Sequence, residues 1–144
     1  MEWIKRGVRF ECQPDCGQCC TSDSREGSVF LEAFDIERLA GHLAMSPRAF
    51  VKKFTHSEAG EIELVPARGN CPFLDGNRCG VYEARPVQCR VYPFFPLDGF
   101  SPVESSYTWR YEKRFCPGIG KGRLYSKSEI RARMRGVDVD GFDV

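Results

Sequence analysis

Residues 12–20, CQPDCGQCC, place Cys12, Cys16, Cys19 and Cys20 within nine positions, and Cys71, Cys79, Cys89 and Cys116 follow as a second, wider-spaced group of four. Thiols at this density can crosslink, attack a substrate or ligate a cation. The two-residue gap between Cys16 and Cys19 lets one turn of backbone aim both sulfurs at one ion, which is why such spacing recurs in zinc and iron–sulfur sites. Cys19 and Cys20 are adjacent, and neighbouring side chains of an extended chain point opposite ways. A polynuclear cluster accommodates both more readily than one tetrahedral zinc; otherwise the two serve separate centres, or one stands just behind the ligands. Cysteine is followed by proline at Cys71-Pro72 and Cys116-Pro117, a sequence that suits a chain leaving a cluster abruptly.

Compartment decides between crosslinks and ligands. The amino terminus, MEWIKRGVRFEC, lacks the apolar run of an export signal, and no later stretch has the length of a membrane span. This predicts a cytoplasmic protein with no membrane partner, and cytoplasmic thiols are kept reduced. A nucleophilic cysteine would need a base, and only His42 and His56 are present, neither within a supporting motif. Both read as ordinary polar residues, His42 at a helix boundary and His56 in a loop.

The elements that must position these thiols fit one α+β domain of 144 residues, with a hydrophobic content of 42%, a charged content of 28% and a net charge of +1. Such a balance gives no overall attraction to nucleic acid, membrane or acidic substrates. Ile36, Leu39, Ala40 and Leu43 share one face of a helix that starts near Asp35. Ser46 and Pro47 then read as the cap and first residue of a second helix burying Phe50, Val51 and Phe54. Ile62 and Leu64 alternate with Glu61 and Glu63 in a half-buried strand that ends at Pro66, Gly69 and Asn70. Residues 71–96 read as a loop-rich cysteine segment. Tyr107, Trp109 and Tyr111 alternate as the face of another strand leading to Cys116.

Ser126 and Glu129, at capping-box spacing, open a closing helix with Ile130 and Met134 four apart. Between residues 109 and 135, Arg110, Lys113, Arg114, Lys121, Arg123, Lys127, Arg131, Arg133 and Arg135 outnumber Glu112 and Glu129, a local balance of 9 − 2 = +7 that reads first as a solvated basic face. Residues 136–144 read as a flexible tail. Arg85 and Arg90 flank Cys89, where either could donate hydrogen bonds to clustered thiolates; alternatively Arg85 caps a loop by pairing with Glu83 or another acid.

These stretches resemble one known family. CQPDCGQCC, DIERLAGHLAMSPRAFVKKF, the block CPFLDGNRCGVYEARPVQCRVYPF at residues 71–94 and the late FCPG are similar to the CxxCxxCC-type cysteine-cluster proteins, zinc- or iron-chelating domains that include the YkgJ-like proteins. The resemblance runs from residue 12 to about residue 118. It implies a zinc or iron–sulfur centre held by Cys12, Cys16, Cys19, Cys20, Cys71, Cys79, Cys89 and Cys116 in a small α+β domain. A flagellin lysine methylase has a related cysteine-rich region, which brings in protein modification as a context. No glycine-rich loop follows a strand here to seat S-adenosylmethionine.

Two other likenesses are weaker. Cys12, Cys16 and Cys19 have the C-x3-C-x2-C spacing of radical S-adenosylmethionine enzymes, but Gln18 stands where those carry an aromatic residue, and the chain is short for their partial barrel. RLAGHLAMSPRAFVKKF is similar to the helix-turn-helix of AraC-type regulators, with Arg48, Lys52 and Lys53 facing nucleic acid. Core packing by Phe50, Val51 and Phe54 explains the same segment without DNA.

The sequence therefore predicts a metal-binding domain whose cysteine loops are held together by an iron–sulfur cluster, favoured slightly by Cys19-Cys20, or by zinc. Its role would be redox or protein modification, with another protein as partner. The alternatives are a metal- or redox-sensing DNA-binding regulator using residues 35–54, or a structural zinc module for protein interactions.

Overall fold

The computed structural model describes residues 2–13, 16–18, 29–67, 69–94 and 101–135. In chain order the elements are β1 (Val8–Phe10), α1 (Ala33–His42), α2 (Pro47–Phe54), β2 (Thr55–Glu58), β3 (Glu61–Leu64), β4 (Leu74–Asp75), β5 (Arg78–Cys79), α3 (Val87–Val91), α4 (Ser106–Glu112), β6 (Ile119–Tyr125) and α5 (Lys127–Met134). Short 3₁₀ turns at Glu2–Ile4, Tyr82–Ala84 and Pro102–Glu104 complete them. The strands pair as three antiparallel two-stranded ribbons, β1 with β6, β2 with β3 and β4 with β5, so the class is mixed α+β. The chain divides into two compact units, Met1–Cys16 with Val91–Val144, and Gly17–Arg90.

The first unit is built on an aromatic core. Phe94 is fully buried, stacked on Trp109 at a centroid distance of 5.7 Å and 9° between planes, and edge-on to Phe10 and Tyr125. Trp3 lies beside Trp109 and donates its indole N–H to the Val103 carbonyl at 2.8 Å, which ties the amino terminus to the turn before α4. β1 pairs with β6 through Val8–Tyr125 and Arg9–Leu124, and the register then jumps so that Phe10 faces Ile119.

Tyr107, Trp109 and Tyr111 lie on a helix, which corrects the expectation of a strand. Ser105 and Thr108 form a reciprocal cap: the Thr108 N–H donates to Ser105 Oγ and the Ser105 N–H to Thr108 Oγ1, both at 3.1 Å. Once that turn is nucleated, Trp109 and Glu112 fall three apart on the buried face, leaving Tyr107 and Tyr111 exposed. α5 forms as its sequence indicates. Ser126 Oγ accepts from the Glu129 N–H, and Glu129 accepts from the Ser126 N–H at 2.8 Å. That backbone donor holds the Glu129 carboxyl below its ordinary range, so the cap is charged at neutral pH.

The second unit packs α1 and α2 over β2–β3, with Leu39 and Phe50 fully buried and Phe73 against Phe50 and Phe54. α2 starts as expected, with Ser46 Oγ accepting from the Ala49 N–H at 3.1 Å and Pro47 in its first turn. α1 begins two residues earlier than expected, at Ala33, and Asp35 sits inside its first turn. His56, expected in a loop, lies in β2 opposite Glu63, with Nε2 3.4 Å from the carboxylate. The segment THSE is too polar to advertise itself as a strand; it forms because β3 supplies the pairing.

Candidate metal centre

The expected ligands fall into both units, and in each unit backbone contacts fix segments that carry the described ones. In the unit Gly17–Arg90, Cys71 opens a turn closed by the Leu74 N–H on the Cys71 carbonyl at 3.1 Å. The chain then runs into the β4–β5 hairpin, where Leu74 faces Cys79 and the Gly80 N–H returns to the Phe73 carbonyl at 2.7 Å. Cys71 and Cys79 are half-buried thiols packed against the α1–α2 core. Cys89 is a third half-buried thiol, on the single turn of α3. The segment expected to be loop-rich thus carries a hairpin that holds Cys79, a 3₁₀ turn and a helical turn that holds Cys89.

Gly17 packs against the turn of that hairpin. Its φ is +56°, and a Cβ there would stand 2.6 Å from the carbonyl oxygen of Asn77, in the turn between β4 and β5. The backbone that leads to Cys19 therefore lies directly on the turn that precedes Cys79, an approach only glycine permits. The sequence signal for this approach is the glycine directly after Cys16.

Gly17→Ala is expected to weaken metal retention. It combines left-handed strain of about 1–2 kcal/mol with a clash against backbone that cannot yield. Gly76→Ala carries a similar strain, φ +61°, with open space around the added methyl. In competition against a chelator, Gly17→Ala should release metal well before Gly76→Ala; equal retention would show that the Gly17–Asn77 approach does not matter to the centre.

In the other unit, Cys12 is exposed, Cys16 half-buried and Cys116 buried beside the aromatic core. The Glu11 N–H donates to the Gly118 carbonyl at 3.1 Å, and a Cβ on Gly118 would overlap the Glu11 carbonyl oxygen. This pairing brings the strand before Cys12 against the turn after Cys116. The Cys116 N–H closes α4 on the Glu112 carbonyl at 3.1 Å. The buried Glu112 carboxylate accepts from the Tyr92 hydroxyl at 2.6 Å, a contact with no local sequence signature.

Cys19 and Cys20 lie outside the described residues, as does the tail 136–144. Among the described residues, no three Cys, His, Asp or Glu side chains converge on a point that would hold an ion. The donor chemistry nonetheless fits a thiophilic cation: Cys71, Cys79 and Cys89 are half-buried thiols of one unit, and the backbone at Gly17 meets the hairpin that carries Cys79.

Arg85 holds the Tyr82–Ala84 turn rather than an acid, its Nε donating to the Tyr82 carbonyl at 2.8 Å and its guanidinium lying 3.9 Å from the Tyr82 ring centroid. Arg90 is half-buried on α3 and His42 is exposed. Of the basic residues between 109 and 135, Arg123 pairs with Glu129 at 3.2 Å, and most of the others are exposed. On α2, Phe50 is buried while Arg48, Lys52 and Lys53 are exposed. No helix among the described residues is long and apolar enough to cross a membrane.

Residues 11–117 match the family model described as "CxxCxxCC: Putative zinc- or iron-chelating domain". A relative from Methanocaldococcus jannaschii, "Uncharacterized protein MJ0661", is 30% identical over 123 residues, which are 82% of this chain and 63% of that protein. The chain thus spans less than two thirds of the length of that relative. No solved structure matches.

Proposed function

Because the chain belongs to the CxxCxxCC zinc- or iron-chelating family, we propose that it binds metal through Cys12, Cys16, Cys19, Cys20, Cys71, Cys79, Cys89 and Cys116, and that an iron–sulfur cluster is the resident group. The observation that carries the reading is the close approach of Gly17 to Asn77, which supports joining the stretch that starts at Gly17 to the Cys71–Cys79–Cys89 segment. The unit Gly17–Arg90 then contributes Cys19, Cys20, Cys71, Cys79 and Cys89. A cluster takes four thiolates as a tetrahedral zinc does, which leaves one of the five to support the ligands; what favours the cluster is the adjacent pair Cys19-Cys20, which the wider group accommodates more readily.

An iron–sulfur centre would supply one-electron chemistry, exchanged with a protein partner or coupled to modification of one. The second reading is a structural zinc module, favoured by how much of the segment is turn: a hairpin of two-residue strands and one-turn helices needs an added crosslink to hold its shape. Absorption of anaerobically purified protein separates them. A brown protein whose visible band bleaches on reduction is expected; a colourless protein with bound zinc would overturn the cluster in favour of the zinc module.

A further inference from the structure

We propose that Asp35 is the positioning residue for Cys89, fixing where the single helical turn that carries this thiol begins. Asp35 is 1% exposed, unusual for a carboxylate, and both its oxygens are engaged by backbone donors. Oδ2 accepts the Glu32 N–H at 2.9 Å, closing the first turn of α1, and Oδ1 accepts the Val87 N–H at 3.0 Å, at the start of α3. Two further links run between the same stretches of chain: the Phe30 N–H donates to Gln88 Oε1 at 2.9 Å, and Arg38 Nη2 donates to the Glu83 carbonyl at 3.2 Å.

A five-residue helix does not hold itself in water. The first N–H groups of such a turn have no partner within it, and here Asp35 supplies one from α1, whose Leu39 and Ala40 are anchored in the core. Cys89 is two residues beyond Val87, so a shift in the start of α3 moves the thiol directly. Residues that hold a ligand in place typically account for about 10–100-fold in metal affinity. The proposal rests on the reading of Cys89 as a ligand, and its test separates the two.

Asp35→Asn keeps the shape but presents an amide N–H₂ to one of the two backbone N–H groups, donor against donor. Val87→Pro removes the α3 donor alone and leaves the Glu32–Asp35 link intact. Glu37→Gln is the control, loss of a carboxylate at an exposed position of the same helix that touches neither donor. Cobalt(II) titration of the metal-stripped protein, read by the thiolate-to-cobalt charge-transfer band, should show affinity lowered about 10–100-fold in both Asp35→Asn and Val87→Pro. Glu37→Gln should bind cobalt like the unaltered chain.

In parallel, iodoacetamide labelling of the stripped proteins, resolved by mass spectrometry, compares Cys89 with Cys71. The Cys89-to-Cys71 rate ratio should rise in Asp35→Asn and Val87→Pro and stay constant in Glu37→Gln. Cobalt affinity and labelling ratio both unchanged in Asp35→Asn, or changed equally in Glu37→Gln, would overturn the proposal. Failure of the unaltered chain to bind cobalt would count against the metal reading, and the labelling ratio, measured without metal, would still decide the role of Asp35.

Discussion

Cys89→Ser and Cys79→Ser proteins are expected to purify with most of their metal lost and to unfold at a lower denaturant concentration than the unaltered chain. Thiolate ligation of a structural ion is worth about 10–16 kcal/mol in apparent terms. Removing one ligand of four, and offering a hydroxyl that does not ionise at neutral pH, forfeits roughly a quarter of this. About 3 kcal/mol corresponds to a loss on the order of a hundredfold in affinity. The loss should register as folding stability too, since the elements that carry these thiols are a hairpin of two-residue strands and a single helical turn.

Metal content by elemental analysis and a urea titration check both halves. Serine variants with full metal and unshifted midpoints would remove Cys79 and Cys89 from the ligand set. A hydroxyl without a partner in place of a half-buried thiol itself costs about 1–3 kcal/mol, so the loss of metal, rather than the shifted midpoint, is what points to ligation.

The second large effect lies in the other unit and needs no metal to explain it. Phe94→Ala should destabilise the unit Met1–Cys16 with Val91–Val144 by about 3–5 kcal/mol. Phe94 is the ring on which Trp109, Phe10 and Tyr125 all converge, at centroid distances of 5.7, 5.9 and 5.2 Å. The cavity cannot close easily, because the three neighbours belong to α4, β1 and β6, each held by its own backbone pairing. Typical domains have a total stability of about 5–15 kcal/mol, so this one truncation threatens the whole unit. Tyr107→Ala, at an exposed position of the neighbouring helix, should stay within about 0.5 kcal/mol. A loss below about 1 kcal/mol for Phe94→Ala, by urea unfolding followed through tryptophan fluorescence, would mean the aromatic core is looser than described.

What could be read from the sequence was local. Ser46-Pro47 and Ser126 with Glu129 start their helices through hydrogen bonds within four residues, and both are found where the sequence puts them. The alternation Tyr107, Trp109, Tyr111 misled because aromatic residues two apart mimic a strand; the Ser105–Thr108 cap decides for helix, and the burial of Glu112 beside Trp109 follows. β2 escaped notice for the opposite reason, its polar THSE being held by pairing with β3.

At the candidate centre, the sequence offers the donor type and eight candidate positions. The devices that arrange them were hidden, because each is a contact between segments far apart in the chain. Gly17 on Asn77, Glu11 on Gly118 and Asp35 on Val87 join residues separated by at least fifty positions, and none carries a motif.

The most direct test of the central claim is the metal stoichiometry of the unaltered chain, purified anaerobically from cells supplied with both iron and zinc. The account predicts iron or zinc retained through gel filtration in at least one equivalent per chain, with the thiols protected from alkylation until the metal is removed. A protein that is folded, metal-free and fully alkylated at Cys71, Cys79 and Cys89 would contradict it.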